Sequence, residues 1–222
     1  MSRRLIVLEG LDGSGKATQT GLLCQALEQR NVSLRRVSFP DYQEESSALV
    51  KMYLNGELGG HPGEVNAFAA SSFYAVDRFA SYVRHWRQDY QNGRLIVADR
   101  YTTSNMVYQM TKLPKSQWDA YLDWVCDFEY NKMELPAPDA VFYLDMPLSI
   151  SQRLLQERYA GDEAKKDMHE KDTDFLAACR ESALYCVQKL GWTLISCARG
   201  GQIKSVEEIH AEIMASEIIK GM

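Results

Sequence analysis

Strand-like runs rich in valine, isoleucine, leucine and phenylalanine recur five times along the chain, at residues 5–9, 34–39, 94–99, 140–145 and 193–197. Each is five or six residues long, the length of a buried strand rather than of a packed helix. Between them the apolar period changes to that of a helix. Residues 15–30 carry Leu22, Leu23, Ala26 and Leu27 on one face. Residues 64–92 read as one long helix, with Val65, Phe68, Ala69, Val76, Phe79, Ala80 and Val83 at helical spacing. Further helices are predicted at 116–133, 149–159, 174–190 and 205–220. Alternating strands and helices predict an α/β fold: a five-stranded parallel sheet flanked by helices on both faces. Residues 56–63 and 135–138 are loops inside that alternation rather than linkers, so a single domain is expected over residues 1–222.

Composition narrows the class. A 222-residue chain with 45% hydrophobic and 25% charged residues is ordinary for a soluble globular protein and long enough for a substantial core. The net charge of −5 argues against a nucleic-acid-coating surface, so a polyanionic ligand must be met by local basic groups. The first apolar run is too short for a signal peptide or a membrane span, and Glu9 closes it. Cys24, Cys126, Cys179, Cys186 and Cys197 are scattered, with no C-x-x-C pair, and read as reduced thiols of a cytoplasmic protein.

The first strand-like run leads into Glu9-Gly10-Leu11-Asp12-Gly13-Ser14-Gly15-Lys16-Ala17-Thr18. Glycines followed by lysine, between a strand and a helix, make a phosphate-binding loop spaced G-x-x-x-x-G-K. Backbone amides and the positive end of the next helix can cradle phosphate oxygens, and Lys16 adds a point charge. The usual hydroxyl after the lysine is replaced by Ala17, with Thr18 one place later. Magnesium at such a loop must then keep a water or be held by carboxylates.

Three other segments carry chemistry. The run at 94–99 ends in Asp99-Arg100-Tyr101, a carboxylate for magnesium beside a guanidinium fork for a phosphate; an ordinary ion pair would look the same. Tyr74 and Arg78 share a helical face and suit a flat heterocycle, stacked by the ring and read by the guanidinium; a core tyrosine beside a surface arginine fits equally. From 157 to 173, ten of seventeen residues are charged. So polar a segment is expected to be a mobile lid that brings Arg158, Lys165 and Lys166 over phosphates, with a solvated surface loop as the alternative. His61, His85, His169 and His210 lack metal-ligand spacing and are expected at the surface.

These residues resemble the thymidylate kinase (dTMP kinase) family, P-loop nucleoside monophosphate kinases with a mobile lid. The resemblance runs along nearly the whole chain. It is carried by the phosphate loop, Phe39-Pro40, Tyr74-x-x-x-Arg78, Asp99-Arg100-Tyr101-x-x-Ser104-x-x-x-Tyr108-Gln109, and the lid followed by Phe175, Arg180 and Tyr185. It implies ATP on Gly10, Leu11, Asp12, Gly13, Ser14, Gly15, Lys16, Ala17 and Thr18, with Arg153. It implies dTMP against Asp12, Phe39, Tyr74, Arg78, Arg100, Ser104, Tyr108 and Gln109. Mg²⁺ would be held by Asp12 and Asp99, directly or through water. The catalytic set would be Lys16, Asp12, Arg100, Arg158, Lys165 and Lys166, in a cytoplasmic homodimer that packs through helices and binds neither nucleic acid nor membrane. Two departures stand out. No arginine follows Phe39-Pro40, and position 13 of the loop is glycine where some relatives carry arginine. Both shift weight onto Arg100 and the basic lid residues.

The implied reaction is ATP plus dTMP giving ADP plus dTDP. A deoxynucleoside kinase is the nearest rival, with Glu9 as a conceivable base for a sugar hydroxyl. A non-catalytic ATP-binding protein is the rival from another class, invited by Ala17.

Overall fold

The computed structural model describes residues 4–160, 162 and 168–222. Strands β1 (Leu5–Gly10), β2 (Leu34–Ser38), β3 (Leu95–Asp99), β4 (Ala140–Asp145) and β5 (Thr193–Ser196) form one parallel sheet in the order β2-β3-β1-β4-β5. Every strand begins and ends within a residue of the run that predicted it. The register pairs Leu8 of β1 with Asp99 of β3 and Gly10 of β1 with Leu144 of β4. The carboxyl ends of the three central strands therefore lie side by side. The connections leave β1 toward β2 and β3 on one side and reach β4 on the other. A crevice opens where such a strand order reverses.

The three central strands are buried on both faces, and the two-residue period of a strand divides the core. Leu5, Val7, Ile96, Ala98, Val141 and Tyr143 pack on one face; Ile6, Leu8, Val97, Phe142 and Leu144 pack on the other. Burying each such leucine or isoleucine contributes roughly 1.5–3 kcal/mol. Helices α1 (Lys16–Gln29), α2 (Ala48–Leu54), α3 (Ala67–Ser81), α4 (Arg87–Gln91), α5 (Trp118–Val125), α6 (Leu148–Arg158), α7 (Met168–Lys171), α8 (Thr173–Leu190), α9 (Val206–Met214) and α10 (Glu217–Lys220) surround it. Residues of α5 and α8 build the first core, and residues of α1, α9 and α10 the second.

Three expected helices are divided. The 64–92 pattern becomes α3, a π-helical turn at Tyr82–Trp86 and α4. Asn66 starts α3 by accepting a hydrogen bond from the Ala69 amide at 2.9 Å. Of the apolar residues at helical spacing, Phe68, Val76, Phe79 and Val83 are 41–46% exposed, while Ala70, Ser71, Ala75 and Arg78 face inward. The 116–133 pattern becomes α5 and a π-helical segment at Cys126–Lys132, and the 205–220 pattern breaks between α9 and α10. Helix α2, the helical turns from Asn105 to Lys112 and the hairpin of β6 (Ala198–Arg199) and β7 (Gln202–Ile203) had no sequence expectation.

Candidate active site

The phosphate loop leaves β1 at Gly10 and enters α1 at Lys16. Gly13 and Gly15 adopt left-handed backbone, at φ 77° and 84°. A Cβ on Gly13 would stand 2.6 Å from the Ser151 carbonyl oxygen of α6, so a side chain there requires the loop or α6 to shift. That contact accounts for the absence of a loop arginine. Lys16 lies nearly buried along the loop, donating to the Leu11 carbonyl at 2.8 Å, with Asp12 at 3.9 Å. Burial, together with the nearby Arg100 charge, lowers its ammonium to about 8.

A cavity of about 520 Å³ runs from this loop across the carboxyl ends of β1 and β3 to helix α3, a size suited to small-molecule ligands. Of the sequence-predicted residues, Asp12, Gly13, Gly15, Lys16, Ala17, Thr18, Phe39, Tyr74, Arg78, Asp99, Arg100, Ser104, Tyr108, Gln109 and Arg158 line it. Gly10, Leu11 and Ser14 are buried beneath the loop and do not reach the wall. Arg153 stands exposed on α6, 3.9 Å from Glu157 and off the cavity wall. Lys165 and Lys166 lie outside the described residues. The Phe39-Pro40 wall is held from α3, where the buried Asp77 accepts from the Asp41 amide at 2.8 Å and from the Ser46 hydroxyl at 2.7 Å.

Arg100 is the centre of the phosphate end. Its backbone is left-handed, φ 65°, a conformation that costs a non-glycine residue on the order of 1 kcal/mol. The bend turns the guanidinium back over the strand ends. There it donates to Asp12 at 2.5 Å and to the Tyr108 hydroxyl at 3.2 Å, with Glu9 at 3.4 Å. Glu9 is wholly buried and also accepts from the hydroxyls of Thr103 and Ser104, each at 2.7 Å. Burial alone would raise the Asp12 carboxyl, but the charges of Arg100 and Lys16 outweigh it and hold the group well below the usual carboxylate range. Two cations thus face two carboxylates at one end of the cavity, and an entering phosphate can take over the guanidinium.

Asp12 and Asp99 are the carboxylates on the cavity wall. Among the described residues, no cluster of three or more histidine, cysteine, aspartate or glutamate side chains could hold a metal by itself. One or two carboxylates completed by substrate phosphates and water is the donor set that Mg²⁺ takes, so the residues fit that ion.

At the far end Arg78 is 1% exposed and Glu129 wholly buried. Arg78 gives Glu129 two parallel hydrogen bonds of 2.6 Å, and its remaining guanidinium nitrogen lies 3.4 Å from the Tyr101 carbonyl. Burial opposes the charge, but Glu129 outweighs it and raises the arginine further. Asn105 donates to the same carboxylate at 2.8 Å and to the Ser71 carbonyl at 3.1 Å. Tyr74 lies half-buried on the same face of α3, its ring edge-on to Tyr53.

His169 corrects a sequence expectation. It is 4% exposed, bonds the Tyr53 hydroxyl at 2.9 Å and stacks on the Tyr108 ring 5.7 Å away. Burial, with the charge of Lys112 nearby, pushes its imidazole down to about 3, so it is neutral. Lys112 donates to the same Tyr53 hydroxyl at 2.8 Å, and burial lowers its ammonium to about 7. His61 is exposed as expected, whereas His85 and His210 are half-buried.

Sequence reasoning missed Asn105, Glu129 and His169. Asn105 adjoins the recognised Ser104. Glu129 continues the buried stripe of Trp118, Tyr121, Leu122 and Val125 at helical spacing, so a charged residue on an apolar stripe was the available signal. Asn105, Tyr108 and Gln109 sit on a π-helical segment, Asn105–Gln109, and Glu129 on another. Such segments recur at functional sites.

Comparison with known proteins agrees with this geometry. The thymidylate kinase family profile matches residues 8–213. The chain is 29% identical over 196 residues to a thymidylate kinase of Mycobacterium tuberculosis, covering 85% of this chain and 87% of that one. It is 26% identical over 212 residues to a probable thymidylate kinase of Thermococcus kodakarensis, covering 95% of both. In fold it is similar to the thymidylate kinase of Candida albicans, with a TM-score of 0.69 at 22% identity over 99% of this chain and 92% of that one. A family match across nearly the whole length, on a sheet that carries the phosphate loop and the Asp99-Arg100-Tyr101 bend at adjacent strand ends, places this chain in the thymidylate kinase family.

Proposed function

We propose that the cavity transfers the γ-phosphate of ATP to the 5′-phosphate of dTMP, with the donor phosphates on the loop and thymine at the Tyr74–Arg78 end. The observation that carries this reading is the single cavity joining Lys16, Arg100 and Arg78. The ends are spaced by phosphate-binding groups rather than by a base aimed at a sugar hydroxyl. Glu9, the candidate base for a nucleoside kinase, is held by Thr103, Ser104 and Arg100 and does not line the cavity.

In the reaction an unprotonated oxygen of the dTMP phosphate attacks the γ-phosphorus, the bond to the β–γ bridging oxygen breaks, and ADP leaves with that electron pair. The acceptor has a second pKa near 6 and is mostly dianionic at neutral pH. No general base is needed; the obstacle is repulsion between two anions. Lys16 and the amides of residues 13–16 hold the donor. Arg100 exchanges Asp12 for the acceptor phosphate and bridges toward the γ-phosphate. Arg158, at the end of α6 on the cavity wall, supplies further positive charge, and Lys165 and Lys166 belong to the same basic segment. Asp12 and Asp99 would hold Mg²⁺, which supplies charge neutralisation between the phosphates. Catalysis is alignment plus electrostatics.

The whole chain is read as one catalytic domain with a lid about 157–173, the support being one sheet with a core on each face. The exposed stripe of Phe68, Val76 and Phe79 on α3, continued by Val83 in the π-helical turn after it, supports a homodimer packed through helices. Five free cysteines, four of them buried, support a reducing cytoplasm. No helix among the described residues is long and apolar enough to cross a membrane. ADP production with a panel of acceptors tests the reaction: dTMP should be turned over far faster than thymidine, AMP or CMP. Faster turnover of thymidine would make the chain a nucleoside kinase, and ATP binding without turnover of any acceptor would make it a binding protein.

A further inference from the structure

Arg78 would serve poorly as a reader of a neutral ring if it stood alone. A buried guanidinium without a counter-charge is costly, and its five donors could point in several directions. Glu129 removes both problems with two parallel bonds of 2.6 Å that fix the guanidinium plane, neutralise it and occupy Nε and one Nη2 hydrogen. With Nη1 near the Tyr101 carbonyl, one N–H remains on each terminal nitrogen, and Arg78 lines the cavity. The same carboxylate acts on Asn105. Both hydrogens of that amide are used, one on Glu129 and one on the Ser71 carbonyl, and an acceptor at each forbids the flipped orientation. The amide oxygen is then the atom of Asn105 left to accept, and Asn105 also lines the cavity.

We infer that Glu129 is a positioning and specificity-determining residue: by accepting from Arg78 and Asn105 together it fixes a donor beside an acceptor on the cavity wall. That polarity matches a ring carbonyl next to a ring N–H, the edge of a pyrimidine-2,4-dione. It opposes an amino group next to a bare ring nitrogen, the edge of a 4-aminopyrimidine. Glu129 touches neither substrate, and the inference rests on the placement of the pyrimidine at this end of the cavity.

Two variants test it in the full-length enzyme, each with steady-state kinetics on dTMP, dUMP and dCMP and a separate ADP-binding titration. Glu129→Gln removes the charge and turns one of the two acceptor oxygens into a donor, so either Arg78 Nε loses its acceptor or, in the other amide orientation, Arg78 Nη2 and Asn105 both do. Glu129→Asp keeps the charge but withdraws the carboxylate by one carbon, so the two partners are no longer reached together. Both variants should bind ADP as the parent does and keep kcat within about threefold at saturating dTMP. The KM for dTMP and for dUMP should rise together, about tenfold or more in Glu129→Gln and less in Glu129→Asp, as charged hydrogen bonds are misdirected. Activity on dCMP should be nearly unchanged, so discrimination between the two ring types shrinks about tenfold. A KM for dTMP within twofold of the parent in variants that bind ADP would overturn the inference. So would parallel losses for all three acceptors, or loss of ADP binding in both variants, either of which would make Glu129 a neutraliser of the core only. A parent enzyme that ignores dTMP would instead sink the assignment of the reaction itself.

Discussion

Lys16 offers the most quantitative check on the phosphate end of the site. In the ligand-free protein burial brings its ammonium from 10.5 down to about 8. Nucleotide phosphates at the loop would favour the charged form and return the value toward or above 10.5. At pH 7 about nine in ten free molecules already carry the proton, so ADP binding takes up only about 0.1 proton. At pH 8.5 about a quarter carry it, and binding takes up about 0.75 proton. The apparent Kd for ADP should accordingly weaken about tenfold between pH 7 and pH 9. Isothermal titration of metal-free ADP in two buffers of different ionisation enthalpy reads both quantities, with Lys16→Met as reference. Lys112 also titrates near neutrality, but it is present in both proteins and cancels in the difference. Stability carries the same signature. The folded value lies below the unfolded one, so the unfolded chain binds more protons between about pH 8 and 10.5 and stability rises with pH across that window. Lys16 contributes about 3 kcal/mol of that rise, so the parent should gain about that much more than Lys16→Met, Lys112 contributing equally to both. Equal proton uptake by parent and variant at pH 8.5, or a flat ADP affinity from pH 7 to 9, would refute the placement of phosphate against Lys16.

Three other outcomes are expected. Replacing Arg158, Lys165 and Lys166 together with alanine should lower kcat on the order of 10²-fold while ADP and dTMP affinities move only a few-fold; near-normal kcat would leave the catalytic charge to Lys16 and Arg100. Phe79→Asp puts a charge into the exposed stripe of α3 and should convert a dimer into a monomer, read by light scattering on a sizing column, and an unchanged mass would remove that face from the interface. Gly13→Ala forces a left-handed alanine against the Ser151 carbonyl, a cost of about 2 kcal/mol. Calorimetry should show Tm lower by roughly 4–8 °C, and an unchanged Tm would mean that the loop relaxes away from α6.

What could be read from the sequence, and what could not, follows from the range of each interaction. The boundaries of β1, β3 and β4 were legible to within one residue because central strands buried on both faces demand short apolar runs, and that demand is local. The phosphate loop was legible because its glycines answer to backbone conformation and close approach within a few residues. Asp12, Arg100, Ser104 and Tyr108 came with the loop and the Asp99-Arg100-Tyr101 string, and the cavity brings them together. Glu129 was not legible as a partner of Arg78, because fifty-one residues separate them and no periodicity records such a meeting. The helical spacing of Phe68, Val76, Phe79 and Val83 was legible, but not that these four face outward. Helical period reports only that apolar surface will leave water, and a core and a partner subunit satisfy that equally. His169 failed for a third reason. Its surroundings are so rich in charge that average composition predicts solvent, yet a single imidazole among the rings of Tyr53, Tyr108 and Phe175 is enough to bury it against the cavity. Aromatic contact on several sides buries His169 whatever the polarity of its neighbours in sequence, and composition averaged over a segment does not record such contacts.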